Sequence, residues 1–189
     1  MNRMHRRFLV AALAAAVLSP AAAFAQDSAA AGSSKVAASA DTEFVRKASA
    51  AGLAEVALGQ LGASQGNSAA TKSFGERMVK DHTAANDELK TIAGSKNLTV
   101  SPAPMPADKK AADAMSKKSG DAFDKAFAKK MVADHQKAVA LFTKESTSGK
   151  DPELKAFATK TLPTLKEHLE MAKKLPDGTG SSAMAGGGH

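Results

Sequence analysis

The sequence predicts an all-α fold in which four long helices pack as an antiparallel bundle. Three observations carry that expectation. Alanine, lysine, leucine and glutamate dominate between Asp41 and Pro176, and β-branched residues are sparse, a composition that favours helix. Apolar residues recur at spacings of three and four, and no segment alternates with period two. Capping residues, glycines and prolines divide the stretch into four long segments.

Helix 1 is expected from about Thr42 to Ala63, with Asp41 or Thr42 as N-cap and Gly66 near its end. Helix 2 runs from about Ser68 to Ala93, with Asn67 or Ser68 capping and Gly94 as the residue that closes it. The following SKNLTVSPAPMPADKK places Pro102, Pro104 and Pro106 within five residues and cannot be continuous helix. A short helix from about Ala107 to Lys117 follows it. Helix 3 occupies about Asp121 to Ser148 and is closed by Gly149. Helix 4 opens on Asp151-Pro152, an N-cap followed by proline at the first helical position, and ends before Pro176. Pro163 lies inside it, removes the bond to Thr159 and predicts a kink there.

The connections near residues 64–67 and 149–151 are short, so helices 1 and 2 form one hairpin and helices 3 and 4 another. The link between helices 2 and 3 is long. Two hairpins joined by one long crossover make the ferritin-like connectivity. An 83-residue register supports the pairing, because it carries Phe44 onto Phe127 and Phe74 onto Phe157. A second echo, MVKDH at 78–82 and MVADH at 131–135, relates helix 2 to helix 3.

The flanks read differently. MNRMHRRFLVAALAAAVLSPAAAFAQ has an arginine-rich start, an apolar run from Phe8 to Leu18 and an Ala-Phe-Ala cleavage signal ending at Ala25. That order is a secretory signal peptide over residues 1–25, and the run is too short to span a bilayer. Residues 26–40 read as a flexible linker and residues 177–189 as a disordered tail. The bundle occupies residues 41–176, and the chain is expected in the periplasm or outside the cell. With no cysteine in the sequence, neither a lipid-anchored cysteine nor a disulfide is possible. Taking the three leader arginines from the formal +7 leaves +4. The lysines are scattered, and there is neither tyrosine nor tryptophan for bases to stack on, so a nucleic-acid partner is not expected. No transmembrane segment is expected after the leader.

Each long helix carries one ionisable residue on its apolar stripe. Helix 2 reads Phe74, Met78, His82, Ala85, Leu89, Ile92, and helix 3 reads Phe123, Phe127, Met131, His135, Ala138, Phe142. Helix 4 places His168 between Leu165 and Ala172, and helix 1 places Glu55 between Ala51 and Leu58. Unpaired ionisable groups are costly to bury, so these four should meet each other, water or a metal. Three imidazoles and a carboxylate suit a divalent transition metal, zinc or iron. Folded about their turns, His135 and His168 differ in height by about five residues, roughly 7 Å, as do Glu55 and His82. One layer or two adjacent layers therefore remain open. Asp81, Asp134 and Glu167 each precede one of these histidines and suit a supporting position behind a ligand. Met78, Met131 and Met171 lie one turn from a histidine, and thioether with imidazole favours copper(I). The alternative is a metal-free buried polar network, with the methionines as core filler. No nucleophile elbow and no glycine-rich phosphate loop is present, so a non-enzymatic metal-binding role in envelope homeostasis or stress tolerance is expected first, a structural or protein-interaction module of the envelope second, and a copper-handling protein or divergent oxidase third.

DTEFVRKASAAGLAEVALGQLGASQ, KSFGERMVKDHTAANDELKTIA, GDAFDKAFAKKMVADHQKAVALF and DPELKAFATKTLPTLKEHLEMAKKL together resemble domain-of-unknown-function family 4142. These are bacterial exported proteins placed among ferritin-like folds and often labelled outer-membrane proteins. The resemblance implies a ferritin-like domain behind a signal peptide and no established reaction. Its motifs fall on Glu55, Asp81, His82, Asp124, Asp134, His135 and His168. Di-iron ferritins need Glu-x-x-His on two helices, but Val79 and Leu165 stand three residues before His82 and His168. The resemblance therefore extends to the fold and not to a ferroxidase centre.

Overall fold

A computed structural model describes residues 25–176, with side chains from Ala40 onward. The expected leader up to residue 24 and the expected tail lie outside the described residues. The packed unit begins at Lys35. Among the described residues there are five α-helices and no strand: α1 (Ala25–Gln65), α2 (Ala69–Ser95), α3 (Pro106–Met115), α4 (Gly120–Ser148) and α5 (Pro152–Lys173). Helices 3 and 4 of the sequence reading are α4 and α5, and α3 is the short helix of the crossover.

Two boundaries differ from expectation. α1 begins at Ala25, not near Thr42, so the stretch read as a linker is helical backbone. Its alanines favour helix whatever surrounds them. α2 runs past Gly94 to Ser95, and the left-handed residue that closes it is Asn97, at φ 56°. Leu98 N–H donates to Ala93 O at 2.9 Å and Asn97 N–H to Gly94 O at 3.2 Å. These two bonds are a Schellman closure, and Leu98 packs on the core beside it. α5 continues through the exposed Pro163 as a single helix.

The tight turns explain why the helices pair as they do. Asp124 of α4 accepts the backbone N–H groups of Asn67 and Ser68 at 2.8 Å each. Asp41 of α1 accepts those of Lys150 and Asp151 at 3.2 and 3.0 Å. Each carboxylate thus caps the turn of the other hairpin. Ser68 and Asp151 in turn cap α2 and α5 through Thr71 N–H and through Glu153 and Leu154 N–H. Asp41 and Asp124, Asn67 and Lys150, and Ser68 and Asp151 are all related by the same 83-residue step as the phenylalanines. The register seen in the sequence is therefore a structural repeat.

The same step relates the two halves of the core. One apolar cluster gathers Phe44, Val45, Ala48, Leu89, Phe142 and Phe157 with their neighbours. The other gathers Phe127, Ala128, Met131, Ala172 and Phe74 with theirs. α1, α2, α4 and α5 contribute to both. Edge-to-face rings lock each end, Phe44 against Phe142 at 5.2 Å and Phe74 against Phe127 at 6.1 Å between centroids.

α1 and α2 approach closely at glycines. A Cβ on Gly75 would lie against Ala63 N, 2.6 Å from Gly59 O and 2.7 Å from Gly62 C. These are backbone atoms and cannot step aside. Gly75→Ala should therefore force the helices apart at about 1–3 kcal/mol, more than the ~1 kcal/mol gained in helix propensity. Gly94→Ala meets nothing within 4 Å and should gain the propensity alone. Thermal melts of the two variants should shift in opposite directions.

At the C-terminal turn of α4, burial first, then the charges of Asp41 and Asp151, push the Glu145 carboxyl up to about 7 from 4.5. Folding thus favours the protonated acid. Its contribution is intact below about pH 4.5 and is lost as the pH rises through about 7. Calorimetry should show Glu145→Gln raising Tm near pH 8 and changing it little near pH 4.

Candidate metal centre

The middle of the core, between the two apolar clusters, is imidazole. His82 comes from the stripe of α2, His135 from that of α4 and His168 from that of α5, and all three are buried. Their ring centroids lie 5.4 to 5.6 Å apart. One ring nitrogen from each lies within 4.8 Å of the others. Phe74 closes one side, with its ring 6.4 Å from that of His135 and 6.2 Å from that of His168.

Hydrogen bonds settle which nitrogens are left over. His135 Nδ1 lies 2.8 Å from Met131 O. A carbonyl only accepts, so Nδ1 carries the proton and Nε2 holds a lone pair. His168 Nε2 lies 2.9 Å from Asp81 Oδ2. With Asp81 ionised, Nε2–H donates and Nδ1 holds the lone pair. His135 Nε2, His168 Nδ1 and His82 Nε2 are all buried without a hydrogen-bond partner.

Electrostatics keep the rings neutral. Burial, then the neighbouring His135 and His168, bring His82 down to about 3. Burial brings His135 down to about 4, against the pull of its bond to Met131 O. Burial also lowers His168, although the Asp81 carboxylate opposes it. Burial would raise Asp81, but hydrogen bonds from His168 and Arg77 outweigh it and hold the carboxyl below its usual value. At neutral pH the cluster therefore offers three uncharged lone pairs, the form in which imidazole binds a metal.

The supporting residues fall into two groups. Asp81 orients His168 across the helix gap and is itself held by Arg77 Nε at 3.2 Å. Arg77 also pairs with Glu167 at 2.8 Å and donates to Met171 Sδ at 3.4 Å. Arg77 was not singled out from the sequence. Its signal was available, since the domain holds only two arginines and this one precedes Asp81 by one helical turn. The other expected residues serve elsewhere. Asp124 caps α2, and Asp134 is ion-paired with Lys130 at 2.6 Å and Lys137 at 3.6 Å. Met78 and Met131 are fully buried among Phe74, Phe123 and Phe127, and the Met171 sulfur faces Arg77.

Glu55 is buried, but it does not join the group that the three histidines form. Its Oε2 has no hydrogen-bond partner. Burial first, and then the Asp134 charge, push its carboxyl well above the usual value, with Lys130 opposing. It lines a cavity of about 350 Å³ whose wall also includes His82. A donor set of three imidazoles, one backed by a carboxylate and one by a backbone carbonyl, is what a tetrahedral ion with one open position requires.

The profile of a sequence family described as Domain of unknown function (DUF4142) matches residues 24–175. No curated protein and no solved structure matches the chain.

Proposed function

This chain belongs to the DUF4142 family, and we propose that it holds one transition-metal ion between His82, His135 and His168. The observation that carries this reading is the convergence of three buried imidazoles, each with a ring nitrogen that has no hydrogen-bond partner. Burying one such group costs about 1–3 kcal/mol; burying three together is accounted for by an ion that all three bind. Zinc suits the set best, because three imidazoles with a fourth position open are an ordinary tetrahedral zinc arrangement. Iron is the next candidate. Copper(I) loses support with the Met171 sulfur held by Arg77. Asp81 and Arg77 orient His168, and Glu55 stands outside the ligand set.

The four long helices, short turns and long crossover support a ferritin-like antiparallel bundle. The N-terminal sequence supports export, and the non-enzymatic role that follows is metal holding in envelope homeostasis or stress tolerance. No helix among the described residues is long and apolar enough to cross a membrane. The bonds of His168 to Asp81 and of His135 to Met131 O also favour a second reading, a metal-free polar network that fixes helix register. Metal analysis of purified protein after dialysis against zinc should find one ion per chain, and none with His82→Ala, His135→Ala and His168→Ala combined. Equal zinc content in the two proteins would leave only the metal-free network.

A further inference from the structure

The 83-residue repeat also has a counterpart for the histidine cluster. Stepping by 83 takes His82 to Leu165, His135 to Gly52 and His168 to Ala85. All three counterparts line the 350 Å³ cavity. Where one half of the repeat carries imidazoles, the other carries a glycine, an alanine and a leucine on the wall of a cavity. That volume is within the range of small-molecule sites, roughly 300–1,000 Å³.

The wall has the composition of a ligand site. Phe142, Phe157, Leu89 and Leu165 supply an apolar surface. Against it stands Glu55, 4% exposed, with Oε2 buried and unpartnered. Asn86 adds an amide, packed into the space left by the missing Cβ of Gly52. Near Glu55, Asp108 and Asp134 share Lys130, and Asp134 also pairs with Lys137. The two lysines on the wall are already paired, Lys47 with Glu43 at 3.0 Å and Lys137 with Asp134 at 3.6 Å.

We propose that this cavity binds a small, largely apolar amine, with its ammonium group on Glu55 and its hydrocarbon body against Phe142, Phe157 and Leu165. The ammonium supplies the donor that Glu55 Oε2 lacks. A carboxylate ligand of the same shape would leave Glu55 Oε2 without a donor and set a second carboxylate against it. The cavity meets the histidine cluster at His82 alone.

Titration calorimetry with 2-phenylethylamine, 2-phenylethanol and phenylacetate, three ligands with one body, tests this on metal-free protein. The amine should bind at least tenfold more tightly than the alcohol, with phenylacetate weakest. Glu55→Gln should remove that tenfold preference and leave alcohol binding unchanged. Ala138→Leu, which fills the cavity wall, should abolish binding of all three while leaving Tm unchanged or raised. No binding, equal binding of amine and phenylacetate, or an undiminished amine preference in Glu55→Gln would each overturn the proposal. Running the same series on the triple histidine variant separates the two sites: amine binding that persists there stands whatever becomes of the metal.

Discussion

Zinc added to metal-free protein is expected to raise its Tm by at least about 10 °C. A ligand at a thousand times its Kd adds about 4.1 kcal/mol to the folded state, and a domain of this size gains roughly 3–5 °C per kcal/mol. The effect should be this large because the site is already assembled: three helices hold neutral imidazoles with nitrogens within 4.8 Å. His135→Ala should remove the response, whereas Gly94→Ala should keep it. Asp81→Asn should keep the fold but weaken zinc about 10–100-fold, because the carboxylate that orients His168 loses its charge. Differential scanning calorimetry with and without a chelator reads all three. An undiminished zinc response in His135→Ala would place the metal elsewhere on the protein.

What the sequence disclosed follows from periodicity. Phe74, Met78, His82 and Leu89 fall on one stripe, and so do Phe127, Met131, His135 and Phe142; the structure buries all eight. Helix phase states which way a residue faces but not which gap it enters. Glu55 shows the limit: it faces inward as expected, yet its carboxyl lies on the cavity wall and outside the imidazole group. The five-residue height difference between His135 and His168 is likewise not a property of either helix, and side-chain reach and packing bring the rings to 5.4 Å. The 83-residue register was visible in two pairs of phenylalanines. Its meaning lay in Asp41 and Asp124, which cap turns 109 and 57 residues away along the chain, bonds that no local pattern discloses. The end of α2 was misplaced for a related reason. Gly94 was the obvious stop, but Asn97 also tolerates the left-handed conformation, and Leu98 has apolar surface to cover only if the helix runs on to Ser95.

The same repeat indicates what the metal centre costs the fold. Leu165 occupies the counterpart position of His82 and packs in an apolar cluster. His82→Leu therefore places in one half what the other half already holds. Combined with His135→Leu, it removes two buried nitrogens that have no partner, each worth about 1–3 kcal/mol, for apolar groups of similar size. His168 stays, so Asp81 keeps its partner across the helix gap. The metal-free double variant should be more stable than metal-free wild type by about 2–4 kcal/mol, or roughly 5–15 °C in Tm. It should also show no response to zinc. Wild type without zinc should then melt lowest, and wild type with zinc should recover most or all of the difference. Chemical denaturation would confirm the order by the midpoint at unchanged slope. If the double variant instead melts below metal-free wild type, the imidazoles are stabilising on their own, and the metal-free polar network becomes the better account of the three histidines.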